Sequence, residues 1–171
     1  SDTTSATLTV ETAPSGAAVS TTKAPRTTTT RRATTTTGPP TETTVLPDGF
    51  DRQPKNGPGS SELSALIDVR IETYPGYDRI LYEFSGSTPG YDVGYIDPPI
   101  LHDVDGTEIH IPGGAFLKMW FRPASGVDPA TNQPTYHGAD RVSGGTAAIT
   151  EVAASGDFGS VLSWVAGVSN D

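Results

Sequence analysis

After Glu62 the chain alternates apolar and polar residues with a period of two. Ala65, Ile67, Val69 and Ile71 point one way and Leu66, Asp68, Arg70 and Glu72 the other, the pattern of a half-buried strand rather than a helix. Tyr74-Pro75-Gly76-Tyr77-Asp78 has turn chemistry, and Ile80, Tyr82 and Phe84 alternate again beyond it, so the two runs predict an antiparallel hairpin. Ser87-Thr88-Pro89-Gly90 turns the chain into a third strand, Tyr91 to Ile96, which Pro98-Pro99 ends. A short strand is expected over Glu108 to Ile111. A longer one is expected over Ala115 to Phe121, with Leu117, Met119 and Phe121 opposite Phe116, Lys118 and Trp120. A Gly/Pro/Asn-rich excursion, Pro123 to Gly145, precedes two final strands near Ala147 to Ala153 and Val161 to Val168, with a turn at Ser155-Gly156-Asp157 between them. Short strands at this spacing, with no helical stretch, predict an all-β fold, an antiparallel sandwich or barrel.

Composition divides the chain near residue 62. About a third of the residues up to Phe50 are Thr, with Pro, Ala and Ser filling in, and Val45-Leu46-Pro47 forms an apolar cluster there. Such a segment buries too little apolar area to offset about 1–2 kcal/mol of backbone ordering per residue, so residues 1–62 are expected to form a disordered Thr/Pro-rich tail. Asn56-Gly57-Pro58-Gly59 marks its end, and residues 63–171 form the folded domain. Two readings of the tail stay open: a stalk holding the domain off a surface, its Thr hydroxyls accepting O-linked sugars, or a plain linker.

Charge and cysteine content narrow the chemistry. The formal net charge is -9, and Lys23, Arg26, Arg31 and Arg32 cancel Asp2, Glu11, Glu42 and Asp48 up to Phe50, so the negative charge belongs to the domain. Phosphate backbones are repelled, and nucleic acid is not an expected partner. With Cys at 0 there is no disulfide, no thiolate zinc site and no cysteine nucleophile. No apolar run approaches the roughly 18 residues of a membrane span. A chain that starts at Ser1, with Met119 as its one Met, is expected to be a processed product.

Two blocks carry a resemblance. Tyr77-Asp78-Arg79-Ile80-Leu81-Tyr82-Glu83-Phe84-Ser85-Gly86 followed by Thr88-Pro89-Gly90-Tyr91-Asp92-Val93-Gly94-Tyr95-Ile96-Asp97 resembles the AMIN-like domain of actinobacterial secreted proteins and lipoproteins. Gly156-Asp157-Phe158 followed by Val161-Leu162-Ser163-Trp164-Val165-Ala166-Gly167-Val168 resembles that family's next block. The resemblance covers about residues 64–168. It implies a β-sandwich related to the AMIN domain, a noncatalytic module that localises cell-wall amidases and secretins on the envelope. It also implies an extracytoplasmic location, secreted or at the cell surface, where a lipid anchor would require a cysteine that this sequence lacks. The expected partner is cell-wall glycan, with an envelope protein met in an assembly role as the alternative. The family pattern calls for a final strand of the Arg-Leu-Val-Val-Asp-Val kind after Trp164, and the domain is expected to lack it.

Candidate chemistry is sparse. His102, His110 and His137 show no ligand pair at the spacing of zinc motifs, so no metal role is expected. Asp103-Val104-Asp105-Gly106-Thr107-Glu108 resembles the opening of a calcium loop, but an Asp-Gly hairpin turn explains it better. No Gly-x-Ser-x-Gly is present, a domain of this size offers little cleft for a carboxylate pair, and no catalytic residue or cofactor is expected. The candidate ligand-binding residues are Tyr77, Arg79, Tyr91 and Tyr95, with Tyr74 beside them. Aromatic faces stack on sugar rings while the hydroxyl hydrogen-bonds, but alternate aromatics in strands also pack in cores. Arg79 either pairs with Asp78, Asp97 or Glu83 or faces a ligand. Trp120 and Trp164 are expected as core anchors.

Overall fold

The computed structural model describes residues 5–13, 16–23, 52–75, 77–144 and 148–169. The structure is all-β, two mainly antiparallel sheets packed as a sandwich. In chain order the strands are β1 (Ser5–Ala13), β2 (Gly16–Lys23), β3 (Lys55–Gly57), β4 (Ser64–Tyr74), β5 (Tyr77–Gly86), β6 (Gly90–Ile96) and β7 (Ala115–Arg122). They are followed by β8 (Ala124–Ser125), β9 (Val127–Asp128), β10 (Gln133–Pro134), β11 (Arg141–Ser143), β12 (Ile149–Phe158) and β13 (Val161–Val168). One sheet has the order β2-β1-β5-β4-β8 and the other β11-β12-β13-β7-β6-β3, while β9 and β10 form a two-stranded ribbon.

The stalk expected over residues 1–62 lies largely outside the described residues, at 24–51. Within them, β1 and β2 pair antiparallel, and β1 also pairs with β5, Leu8 opposite Tyr82 and Val10 opposite Ile80. Ala6, Leu8 and Val10 alternate with Thr7, Thr9 and Glu11, the period of a strand within a Thr-rich segment. β3 likewise pairs with β6, although composition assigns its residues to the tail.

The predicted hairpin is β4 with β5, but its faces differ from expectation. A bulge between Leu66 and Asp68 inserts a residue into β4, so Leu66, Val69 and Ile71 face the core and Ile67 falls at the irregularity. Asp68, Arg70 and Glu72 then share the outer face with Glu83. Arg70 donates to Asp68 at 2.7 Å and to Glu83 at 3.0 Å, which holds its guanidinium above its ordinary pKa. The core joins Leu66, Ile80, Tyr82 and Phe84 of one sheet to Leu117, Met119, Phe121, Val152 and Trp164 of the other. Phe121 meets Tyr82 and Phe84 at ring distances of 4.8 and 5.3 Å.

Two further expectations change. β12 runs through Ser155-Gly156-Asp157 to Phe158, and the turn lies at Gly159-Ser160, whose φ angles of 60° and 63° are the paired positive values of a two-residue hairpin. Glu108 to Ile111 is not a strand: Glu108 makes a single bridge to Leu101, and Ile109 and Ile111 bury themselves with Ile100 on the outer face of the second sheet, over Ala153 and Val165. Residues 97–114 thus form a strap across that face. The Asp-Gly reading of its tip holds: Gly106 has a φ of 71°, and Thr107 donates its N–H to Asp105 at 3.0 Å.

The strap is pinned by polar groups as well as by its isoleucines. Asp103 donates its N–H to the Ser155 carbonyl at 2.8 Å. Its carboxylate accepts from the Ser163 hydroxyl at 2.6 Å and pairs with the ammonium of buried Lys118. That ammonium lies 5.3 Å from the centre of the Trp120 ring, so Trp120 stands on the outer face under the strap and is not an anchor of the inter-sheet core, whereas Trp164 is.

Candidate functional site

The four sequence-predicted residues do not form one site. Tyr77 and Arg79 stand on the outer face at the β4–β5 turn. The rings of Tyr74 and Tyr77 stack at 5.0 Å with planes 9° apart, and the Arg79 guanidinium lies 5.1 Å from the Tyr74 centroid and 5.9 Å from that of Tyr77. Tyr74 donates its hydroxyl to Glu72 at 2.7 Å, which raises the phenol above its ordinary pKa. Asp78, the sequence-adjacent partner considered for Arg79, points the opposite way because strand neighbours alternate faces. It is buried and accepts the backbone N–H groups of Ala148 and Ile149, each at 3.1 Å, tying β5 to the start of β12 across the sandwich.

Tyr91 and Tyr95 belong to the other sheet. They share a face of β6 with buried Val93 and pack half-buried against the main core. The Arg52 guanidinium covers the Tyr95 ring at 5.6 Å, and burial raises the Tyr95 phenol above its ordinary pKa. A shallow cleft of about 290 Å³ runs from there over Phe116.

A larger cleft, about 430 Å³, opens at the side of the sandwich. This is within the roughly 300–1,000 Å³ of small-molecule sites, and its walls are mostly apolar with a few polar groups, as such sites are. Its floor is core: Leu66, Leu162 and Trp164. One wall is the excursion after β7, which the sequence marks as irregular and which folds back over the sandwich. Thr135 donates its hydroxyl to the Leu66 carbonyl at 2.8 Å, Tyr136 sets its ring edge-on to Trp164 at 5.6 Å, and the Tyr136 hydroxyl donates to the Ala139 carbonyl at 2.8 Å. Val127, Pro134 and Asp140 complete that wall. The other wall is Ala154, Gly156 and Asp157 at the end of β12, with His102 from the strap. Asp157 Oδ2 accepts from Gly126 N–H at 2.7 Å and from the Ser125 hydroxyl at 3.0 Å, so the carboxylate is held at the mouth.

Trp164 is 1% exposed, and its indole Nε1–H has no hydrogen-bond partner among the described residues. Buried donors are almost always paired, and this one is sealed beneath the cleft floor, out of reach of solvent. The sequence predicts a packing role for Trp164, which the core confirms, and does not single out Tyr136. The available signal was a tyrosine standing alone in a Gly/Pro/Asn-rich loop. Among the described residues no group of three or more His, Asp or Glu side chains is placed to hold a metal ion. Among them also, no helix is long and apolar enough to cross a membrane.

The family model of the AMIN-like domain matches residues 64–171, and the chain belongs to the AMIN-like domain family. Comparison with curated proteins and with solved structures gives no match. Membership suggests a noncatalytic module with an extracytoplasmic, cell-envelope location.

Proposed function

We propose that the chain is a noncatalytic envelope module that binds cell-wall glycan through the cleft floored by Trp164, with the Thr/Pro-rich segment ahead of the domain acting as its stalk. The observation that carries this reading is the mostly apolar cleft of about 430 Å³ whose mouth holds a fixed carboxylate, Asp157. Family membership supports the envelope setting. The test is co-sedimentation with purified peptidoglycan. Retention in the pellet, displaced by soluble wall fragments, is the expected result, and a chain left wholly in the supernatant removes the glycan reading.

A second reading, assembly with an envelope protein, is favoured by a different place. Tyr74, Tyr77 and Arg79 form an aromatic and cationic platform on a rigid turn, and Tyr and Arg are the residue types that dominate protein interfaces. Crosslinking from Tyr74 in intact envelopes should then recover a protein neighbour, and loss of that product in Tyr77→Ala would locate the contact. Recovery of none would remove this reading.

A further inference from the structure

We infer that the edge of β5 covered by β1 is a strand-acceptor site, and that it also takes β1 from a second copy of this chain, two copies exchanging their β1–β2 hairpins. The family-matched unit, residues 64–171, runs from β4 to β13. Among its described residues β5 has one neighbour in the sheet, β4, so the unit alone would end that sheet at β5. β5 is ten residues long, with Ile80, Tyr82 and Phe84 fully buried on one face and Leu81 only 7% exposed on the other. A long apolar edge of this kind is a template for another strand. β1 covers it antiparallel, from Ser5 opposite Ser85 to Thr12 opposite Asp78. The register also sets Glu11 opposite Arg79, opposite charges across the pair.

The connection decides which β5 a given β1 joins. β4 and β5 meet through a tight turn, with Tyr74 opposite Tyr77, which only strands of one chain can make. β1 reaches β5 by way of β2, β3 and β4 instead. Beyond β2 the chain next enters a sheet at β3, where Lys55 pairs with Val93. Residues 24–51 lie between β2 and Arg52, and a tether of that length spans up to roughly 100 Å when drawn out, against roughly 33 Å for the whole of β5. The β5 edge of a neighbouring copy is within that reach and is chemically identical to the chain's own. Exchange in both directions keeps the β1–β5 pairing and closes a two-fold dimer. The balance is then set by chain concentration against the effective concentration that the tether imposes, which falls as a tether outgrows the span it bridges.

The chain has no cysteine, so engineered thiols report on this pairing alone. Thr7 and Glu83 stand opposite each other in the register, at a Cα separation that a disulfide bridges. Replacing Glu83 removes a partly exposed ion pair with Arg70, which is worth little. Full-length Thr7→Cys and Glu83→Cys chains are mixed, unfolded in urea, refolded together and oxidised over a range of concentrations. The expected result is a covalent heterodimer on a non-reducing gel, its yield rising with concentration while both homodimers stay at background. Leu8→Pro added to the Thr7→Cys chain interrupts β1 between its two neighbours and should return the heterodimer to background. The double variant, Thr7→Cys with Glu83→Cys, tests the acceptor edge itself and should oxidise to a covalent dimer at high concentration. An internal disulfide in the double variant at every concentration, with no heterodimer in the mixture, would confine β1 to its own chain and overturn the exchange. Absence of any disulfide between the two positions would overturn the acceptor edge. A heterodimer no more abundant than the homodimers, or undiminished by Leu8→Pro, would likewise overturn the inference.

Discussion

Asp78 is the one carboxylate among the described residues that the fold carries fully into its interior, 3% exposed, where it accepts the backbone N–H groups of Ala148 and Ile149 at the start of β12. Asp78→Ala should cost about 3 kcal/mol in urea unfolding, because it removes the buried acceptor of two backbone hydrogen bonds and an unmet buried donor costs about 1–3 kcal/mol. Asp78→Asn, which keeps an acceptor oxygen, should lose clearly less. Equal losses in the two variants would show that the hydrogen bonds are not what Asp78 contributes. Asp105 and Asp128 behave differently. Each is solvent-exposed and accepts nearby donors, Asp105 from Thr107 and Asp128 from Ala130 and Thr131, and these bonds hold both carboxyls below the ordinary carboxylate value. A carboxyl with a depressed folded pKa contributes stability that is fully present above its unfolded value near 4 and is lost as pH falls through the lower folded value. In an NMR titration both should therefore titrate below the model-peptide range, and midpoints at or above it would contradict the turn geometry.

At the scale of elements, the strap and the hairpins separate what the alternation revealed from what it hid. The strand identities of β4 to β7 and β13 were legible because each has an apolar face that only one sheet position can bury. The register of β4 was not, since a bulge at Ile67 costs one residue and reverses the faces without changing composition. Ser155-Gly156-Asp157 has the residues of a turn, yet Ser155 is buried under the strap and its hydroxyl donates to Ser163 at 2.8 Å. Gly159 is the position that the turn needs. A Cβ there meets nothing within 4 Å, so Gly159→Ala isolates the cost of a positive φ and should destabilise by about 1 kcal/mol in the same unfolding assay. The strap is a case of pattern failing outright, because isoleucines at Ile109 and Ile111 look like a strand and instead seal a sheet face. Its ion pair predicts non-additivity: Asp103→Ala leaves a buried ammonium without its half-exposed carboxylate and should cost about 2–3 kcal/mol, whereas Asp103→Ala with Lys118→Met should recover most of that loss. Additive losses in thermal unfolding would deny the pair its role.

For the molecule as a whole, the sandwich brings together residues far apart in the chain. Leu66, Tyr136, Asp157 and Trp164 come from four separate segments and meet at one cleft. None of them could be grouped from spacing, and the aromatic residues that stood out along the chain, Tyr77 with Arg79 and Tyr91 with Tyr95, fall on separate sheets. Family resemblance was legible because its blocks cover the β5–β6 and β12–β13 segments, which fix the fold, while the cleft wall comes from the irregular excursion between them. The most direct test of glycan recognition at this cleft is co-sedimentation of the chain with purified peptidoglycan, comparing the unmodified protein with Val127→Trp. The cleft assignment predicts that the unmodified chain pellets and Val127→Trp stays in the supernatant, both folded alike. Equal pelleting of the two, or no pelleting of either, would contradict it.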